Sequence, residues 1–416
     1  MRILINDFAG HPFPLQLSRQ LANCGHSVLH TYFGGNNTPK GATGAEPGCD
    51  LRIEALEIGR AFKKHSIWSR RFADVAYGKA VAERVKAFRP DVVLSGSMPL
   101  DAQKHLLRTA QDCGAGFVFW LQDVLSVATE FVLRKKGFPF AGLAGKFYSR
   151  LERRLLEQSD AVICITPQFE TILNYWRIPE SKAFVIENWA PLDEIALMPK
   201  NNPWAREHDI SGKFCFLYSG TLGMKHRPEL LLELAKHYQH RDDAAVVVVA
   251  QGAGADWLKQ NANVRPGSLV LLPFQPYERL SEVLASADVL VTLLDSGCAE
   301  FAVPSKTLSY LCAYRPLLMA GPDTNLAAQI VTQAGAGQVV SSDGTESFLA
   351  AADELLRSPQ QREAFAANAR TYAERTFNIE RIAQEFLQIF DNLTQTSSPA
   401  DAHSPTKEDA LTYAAE

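Results

Sequence analysis

The sequence contains no apolar run near the ~20 residues that a membrane-spanning helix requires; the longest, Ala244 to Ala250, falls far short. No transmembrane helix is expected. Met1 to Ile5 is interrupted by Asn6-Asp7, too early for the apolar stretch of a secretory signal, so it reads as a first strand and predicts a cytoplasmic chain. Cysteine is sparse: the seven residues, at 24, 49, 113, 164, 215, 298 and 312, form an odd set with no two-residue spacing. That pattern fits reduced thiols rather than a disulfide frame or a zinc knuckle, and no metal is expected from them. Charge of one sign is also missing, since 42 Lys and Arg stand against 46 Asp and Glu for a formal net charge of -4. Such a balance argues against a nucleic-acid binder built on basic excess. No repeat of solenoid length occurs.

What is present is an ordinary globular composition, 46% hydrophobic over 416 residues, enough for two domains with a core each. Apolar β-branched runs alternate with helical patterns, which predicts an α/β architecture of parallel sheets covered on both faces. In the first half, strands are expected at Arg2 to Asn6, His26 to Tyr32, Asp91 to Ser95, Gly116 to Leu121, Ala161 to Thr166 and Ala183 to Glu187. A second set runs over Phe214 to Ser219, Ala245 to Ala250, Leu269 to Leu272, Asp288 to Leu294, Pro316 to Ala320 and Gly337 to Val340. The Pro-, Asn- and Gly-containing stretch from Asn188 to Gly212 supplies a linker, which puts the boundary near Trp189. Domains are therefore expected at 1–189 and 190–375. A helical return segment, 376–392, packs back toward the first, and a polar tail, 393–416, cannot bury enough surface to order itself.

Open parallel sheets bind ligands beyond the carboxyl ends of their strands, so the loops there are the candidate sites. The first is Phe8-Ala9-Gly10-His11-Pro12, able to bring backbone amides to an anion. In the second half, Ser219-Gly220-Thr221-Leu222-Gly223-Met224-Lys225-His226-Arg227-Pro228 leads into a helix. It places Lys225 and Arg227 where an anion would meet the helix dipole; the plain alternative is a loop with solvated charges. The spacing is not that of a Walker P-loop, which disfavours phosphoryl transfer. Gln251-Gly252-Ala253-Gly254 and Pro273-Phe274-Gln275-Pro276 could admit a planar base, or could be simple turns. Glu300 then precedes Pro304-Ser305-Lys306-Thr307 at another helix start, where amides, a hydroxyl and an ammonium could meet one anion.

The order Tyr218-Ser219-Gly220-Thr221-Leu222-Gly223-Met224-Lys225, Ala250-Gln251-Gly252-Ala253-Gly254, Ala287-Asp288-Val289 and Val303-Pro304-Ser305-Lys306-Thr307 resembles the nucleotide-sugar half of a family 4 glycosyltransferase. Such proteins have the GT-B fold, two Rossmann-like domains facing a central cleft. Gly10-His11-Pro12, Phe119-Trp120-Leu121-Gln122-Asp123 and Glu187-Asn188-Trp189 extend the likeness into the first half. Within the family the chain resembles the WcaI/WbuB-like exopolysaccharide and O-antigen transferases, over roughly residues 1–390. The resemblance implies sugar transfer with retention from a nucleoside diphosphate sugar to a glycan or polyprenyl-diphosphate-linked acceptor, with no cofactor or obligatory metal. The first domain would then serve the acceptor and the second the donor.

By the same resemblance, Lys225 and Lys306 neutralise the donor diphosphate, with Glu300 at the sugar. Gly220, Thr221, Arg227, Pro304, Ser305 and Thr307 line the donor site, Gly252, Gly254 and Phe274 lie at the base, and Gly10 and His11 face the phosphates. Two departures stand out: Thr221 replaces a common arginine, and Ser309 replaces the second glutamate of an E-x7-E pattern that contacts ribose. Asp123 either orients the acceptor or is structural. A nucleotide-sugar 2-epimerase and a non-catalytic nucleotide-sugar-binding protein remain alternatives. Finally, Arg134, Lys135, Lys136, Lys146, Arg150, Arg153 and Arg154 are interleaved with Phe131, Phe138, Phe140, Phe147 and Tyr148. Residues 131–154 thus suit either an anionic membrane, making the protein peripheral on its inner face, or a solvated helix over buried aromatics.

Overall fold

The computed structural model describes residues 1–35, 48–58, 67–135, 137–296 and 304–396. Strands β1 (Arg2–Asp7), β2 (Ser27–Phe33), β3 (Leu51–Leu56), β4 (Val92–Gly96), β5 (Gly116–Leu121), β6 (Ala161–Cys164) and β7 (Ala183–Val185) form one sheet, in the order β3-β2-β1-β4-β5-β6-β7. A second contains β8 (Phe214–Ser219), β9 (Ala244–Val249), β10 (Leu269–Leu272), β11 (Val289–Leu293), β12 (Leu317–Ala320) and β13 (Gly337–Val340), ordered β10-β9-β8-β11-β12-β13. Every pairing is parallel. The central strands are covered on both faces: Ile3, Leu4, Ile5, Val92, Val93 and Leu94 in one sheet, and Val246, Val247, Val289, Leu290 and Val291 in the other, are all fully buried. This is why they read as continuous apolar runs.

β3 is the strand that the sequence reading missed. Its pattern Leu51-Arg52-Ile53-Glu54-Ala55-Leu56 buries only the two end leucines, as suits an edge strand with one wet face. The first helix, Pro12–Asn23, ends as expected: Gly25 takes φ +87° and the His26 N–H bonds back to the Leu21 carbonyl at 3.2 Å.

Both sheets reverse direction of winding in the middle, between β1 and β4 and between β8 and β11. The crevice at such a reversal is where open α/β sheets take ligands. The loops after β1 and β8 therefore lie at the two topologically favoured positions, and these are the loops that carry His11 and Lys225.

The end of the first half is held by aromatic packing. Trp189 stacks on Trp120 at 6.0 Å between ring centroids, and Phe13 meets the two edge-on at 5.3 and 5.6 Å. Phe386, from the helix Ile379–Thr396, closes the group at 5.2 Å from Trp120. This last helix lies against Pro12–Asn23, β4 and β5. It runs past Asn392, where the sequence turns polar, as far as Thr396. Before it, Pro359–Thr376 packs on the helix Lys306–Cys312, so the C-terminal segment touches both sheets' coverings. The six described cysteines are free thiols. Among the described residues no helix is long and apolar enough to cross a membrane.

Candidate active site

β8 delivers Tyr218, fully buried, to the crevice of the second sheet. Its hydroxyl donates to the Thr221 carbonyl at 2.8 Å and accepts from Lys306 Nζ. The same ammonium donates to the Thr221 carbonyl at 3.2 Å and lies 3.8 Å from the centre of the Tyr218 ring. Tyr310 follows Lys306 by four residues, hence on the same helical face. Its hydroxyl bridges both polar groups of Ser219, accepting from the N–H at 2.7 Å and donating to the carbonyl at 2.9 Å. Two tyrosines thus lock the end of β8 to the helix carrying Lys306. Gly220, at φ +131°, makes this possible, because a Cβ there would stand 3.1 Å from Lys306 Cε.

The site concentrates positive charge. Burial, and then the neighbouring Lys225, push the Lys306 ammonium well below the ordinary lysine pKa. His226 is buried, and its Nδ1 accepts the Gly223 N–H at 2.9 Å. Burial together with Lys306 and Lys225 lowers its pKa to about 2, so the ring stays neutral and keeps that acceptor. Lys225 itself is exposed, and its carbonyl accepts the Asp295 N–H at 2.9 Å, which ties this loop to the one after β11.

Across from these lysines the first sheet offers carboxylates. Asp123 follows β5 and is pushed up to about 6 by burial, against the opposing pull of Lys225 and His11. Lys225, His11 and Asp123, from three separate loops and both sheets, therefore lie within electrostatic reach of one another. His11 Nδ1 is 3.5 Å from Asp7 Oδ2. Asp7 is buried, which alone would raise its pKa, but the ring charge and hydrogen bonds of His11 outweigh burial and lower it.

Several sequence expectations are corrected here. The first loop does not hold its amides out to an anion: Ala9 N–H and His11 N–H bond to the Asp7 carboxylate, and Gly10 N–H to the Asp7 carbonyl at 3.1 Å. At the helix after Pro304 and Ser305, the Thr307 and Leu308 amides bond to the Pro304 and Ser305 carbonyls at 3.0 and 3.1 Å. Those two amides are used locally. Thr307 is also buried, its hydroxyl 3.4 Å from that of Thr292. Arg227 sits in the left-handed region at φ 45° and bonds to the Ser342 carbonyl and Asp343, beyond β13, so it does not replace the arginine absent at Thr221.

Thr221 contributes its carbonyl to the lysine cluster. Gly252, at φ +120°, and Gly254 make room for the Leu222 carbonyl: a Cβ at Gly252 would be 2.7 Å from it, and the Gly254 N–H donates to it at 2.8 Å. Their visible work is to seat the 219–223 loop. Phe274 is half-buried after β10, and Ser309 lies half-buried in the helix Lys306–Cys312. Glu300 lies outside the described residues. The sequence reading missed Tyr218, Tyr310 and Asp7; the four-residue step from Lys306 to Tyr310 was the one signal available. Among the described residues no cluster of His, Cys, Asp or Glu is placed to hold a metal.

The comparisons with known proteins agree with this architecture. Residues 11–189 match the model of the glycosyl transferase 4-like domain, and residues 201–372 match glycosyl transferases group 1. Together these span most of the chain, which belongs to the family 4 glycosyltransferases and is a transferase. A protein of Escherichia coli K12 named as the colanic acid biosynthesis glycosyl transferase WcaI is 24% identical over 322 residues, 76% of this chain and 77% of that one. Among solved structures, sucrose-phosphate synthase from Thermosynechococcus elongatus has a TM-score of 0.71 at 14% identity, covering 95% of this chain and 100% of its own. Anabaena HepE, solved with UDP and glucose, scores 0.68 at 13% identity over 94% of this chain and 100% of its own. WaaG, a glycosyltransferase of lipopolysaccharide biosynthesis, scores 0.67 at 17% identity, covering 93% and 99%. The fold is GT-B.

Because Lys225 stabilises the Asp123 carboxylate, replacing it with Met removes an opposing charge and should raise the Asp123 pKa above its value of about 6. Carboxyl-carbon NMR titration of the two proteins checks this; an unchanged midpoint would mean that the two loops do not face each other.

Proposed function

We propose that this glycosyltransferase moves a sugar, with retention, from a nucleoside diphosphate sugar to a glycan or polyprenyl-diphosphate-linked saccharide during surface polysaccharide assembly. The carrying observation is that Lys306, held on Tyr218 and the Thr221 carbonyl, and Lys225, from two loops of the second sheet, lie within electrostatic reach of each other, and Lys225 within reach of Asp123 of the first. The two ammonium groups repel, and a diphosphate between them would convert that repulsion into attraction while favouring the charged form of Lys306. As the glycosidic bond opens, the leaving diphosphate gains charge, and cations already fixed in place stabilise it without reorganisation. Asp123 orients the acceptor hydroxyl from the facing half. Each of these roles falls to side chains of the protein, with no cofactor and no obligatory metal. The likeness to WcaI and WaaG supports a polysaccharide or lipopolysaccharide setting, and the UDP in HepE supports a nucleoside diphosphate donor.

A charge-assisted contact contributes about 1.5–3 kcal/mol, and each ~1.4 kcal/mol is tenfold in rate. Lys225→Met and Lys306→Met should each lower kcat/KM at least roughly tenfold, and the double change should cost more. A donor panel with product analysis reads this out. Near-normal turnover in both folded variants, an epimerised donor, or binding without transfer would each contradict the proposal.

The acceptor's lipid points to the membrane surface as partner, which would place the chain at the inner face of the cell membrane. Helices Leu125–Lys135 and Ala141–Gln158 pack as a hairpin whose tip exposes Phe138, Phe140, Leu143 and Phe147. Lys146, Arg150 and Arg154 are exposed beside them, while Arg134 and Arg153 pair with Glu130 and Glu157. The side chains of Phe131, Lys135 and Lys136 lie outside the described residues. Exposed aromatics among unpaired cations suit an anionic lipid surface, each cation contributing about 1 kcal/mol there. Sedimentation with phosphatidylglycerol vesicles should recover the protein in a salt-sensitive manner, and less of it with Phe140→Ser/Phe147→Ser. Equal recovery on phosphatidylcholine would count against the surface.

A further inference from the structure

Glu152 lies in the helix Ala141–Gln158, within the basic segment, yet it is completely buried. Its Oε1 accepts the Leu125 N–H at 2.9 Å and its Oε2 the Ser126 N–H at 3.0 Å. These are the first two amides of the helix Leu125–Lys135, groups that have no partner within their own helix. A helix start normally finds its cap in the residues just before it, with Asp among the preferred types. Here Val124 occupies that position and has no side-chain acceptor, whereas Asp123, one residue earlier, carries a carboxyl group. The amides go to Glu152 instead, across the hairpin, and the Asp123 carboxyl is left to face His11 and Lys225.

The strut that carries Glu152 is itself anchored. Tyr148 donates to Asp101 at 3.0 Å, and Gln111 donates to the Gln158 carbonyl at 3.2 Å, fastening the helix to Leu100–Asp112. Close contact continues along the hairpin at Gly145, where a Cβ would fall 2.1 Å from Glu130 Oε2. The start of Leu125–Lys135 is thus fixed from inside the protein rather than by its own preceding residues.

We propose that Glu152 is the positioning residue for the acceptor side of the cleft: by capping the helix Leu125–Lys135 from the neighbouring helix, it fixes where Asp123 stands and frees its carboxyl for the acceptor. The inference rests on the reading that Asp123 meets the acceptor. It assigns Glu152 an effect on acceptor use and none on the donor, because Lys225 and Lys306 belong to the other sheet.

Glu152→Gln keeps the side chain's shape and one accepting oxygen but turns an amide N–H toward the second helix amide. The full-length enzyme carrying it should show transfer lowered roughly tenfold in kcat/KM for acceptor, about the loss of one contact to a charged group. Its affinity for the donor nucleotide, titrated without acceptor, should stay within about twofold of the parent. Should that variant fail to fold, Glu152→Asp retains a carboxyl at a shorter reach and should give the same split between acceptor and donor. Asp123→Asn, measured alongside, separates the two ideas. A defective Asp123→Asn with a normal Glu152 variant overturns the role of Glu152 alone. Normal transfer by Asp123→Asn overturns the acceptor reading and the positioning role with it. Equal losses of donor affinity and transfer in a folded Glu152 variant would make the residue a general stabiliser and also overturn the proposal.

Discussion

The rest of the site depends on one electrostatic constraint: Lys306 is held in a half-buried position within the field of a second ammonium, Lys225. Desolvation and like charge both disfavour that arrangement, and both depress the Lys306 pKa. The protein offsets the cost with two acceptors, the Tyr218 hydroxyl and the Thr221 carbonyl, and with the face of the Tyr218 ring beneath the ammonium. Keeping His226 neutral removes a possible third charge. Everything nearby serves that geometry. Gly220 admits the lysine stem, Tyr310 fixes the strand end to the lysine's helix, and Gly252 and Gly254 seat the loop that carries Thr221.

The two halves divide the charge between them. In the first sheet, positions that could have offered backbone amides to an anion are filled from within the protein: the Asp7 carboxylate takes the Ala9 and His11 amides, the Asp7 carbonyl takes that of Gly10, and the Glu152 carboxyl takes those of Leu125 and Ser126. In the second sheet the Thr307 and Leu308 amides at the start of Lys306–Cys312 are spent on local carbonyls, and in the proposed reading side-chain cations face the anion. Under the proposed reading a polyanion is drawn to the second half, while the first presents Asp123 to a neutral hydroxyl. The loops that carry His11 and Lys225 follow β1 and β8, the strands at which the two sheets reverse.

How much of this was legible in the sequence follows from what each residue type reveals. Buried strands announce themselves through unbroken runs such as Ala244 to Val249, whereas the edge strand Leu51–Leu56 alternates with Arg and Glu and resembled a loop. Lys225 and Lys306 were visible because glycine, proline and a helix start coincide with them. Tyr218 was not, since a tyrosine at a strand end reads as core until its hydroxyl is seen to meet Lys306. Arg227 looked like a spare cation, but Ser342 and Asp343, more than a hundred residues away in sequence, claim it. Glu152 is the one acid within the basic stretch 131–154, a setting that suits a solvated face, although helix packing turns it fully inward. Local spacing shows which chemistry a loop can carry; which groups are already spent is decided by partners distant in the chain.

The central claim is that Lys225 and Lys306 hold one diphosphate with Asp123 facing it across the cleft. A crystal structure with the donor nucleotide bound tests it most directly. The account predicts diphosphate oxygens within hydrogen-bond distance of both lysine ammonium groups, with Lys306 released from Tyr218 toward the ligand and the sugar pointing to Asp123. A diphosphate seated elsewhere, with Lys306 still bonded to Tyr218 and Thr221, would contradict it.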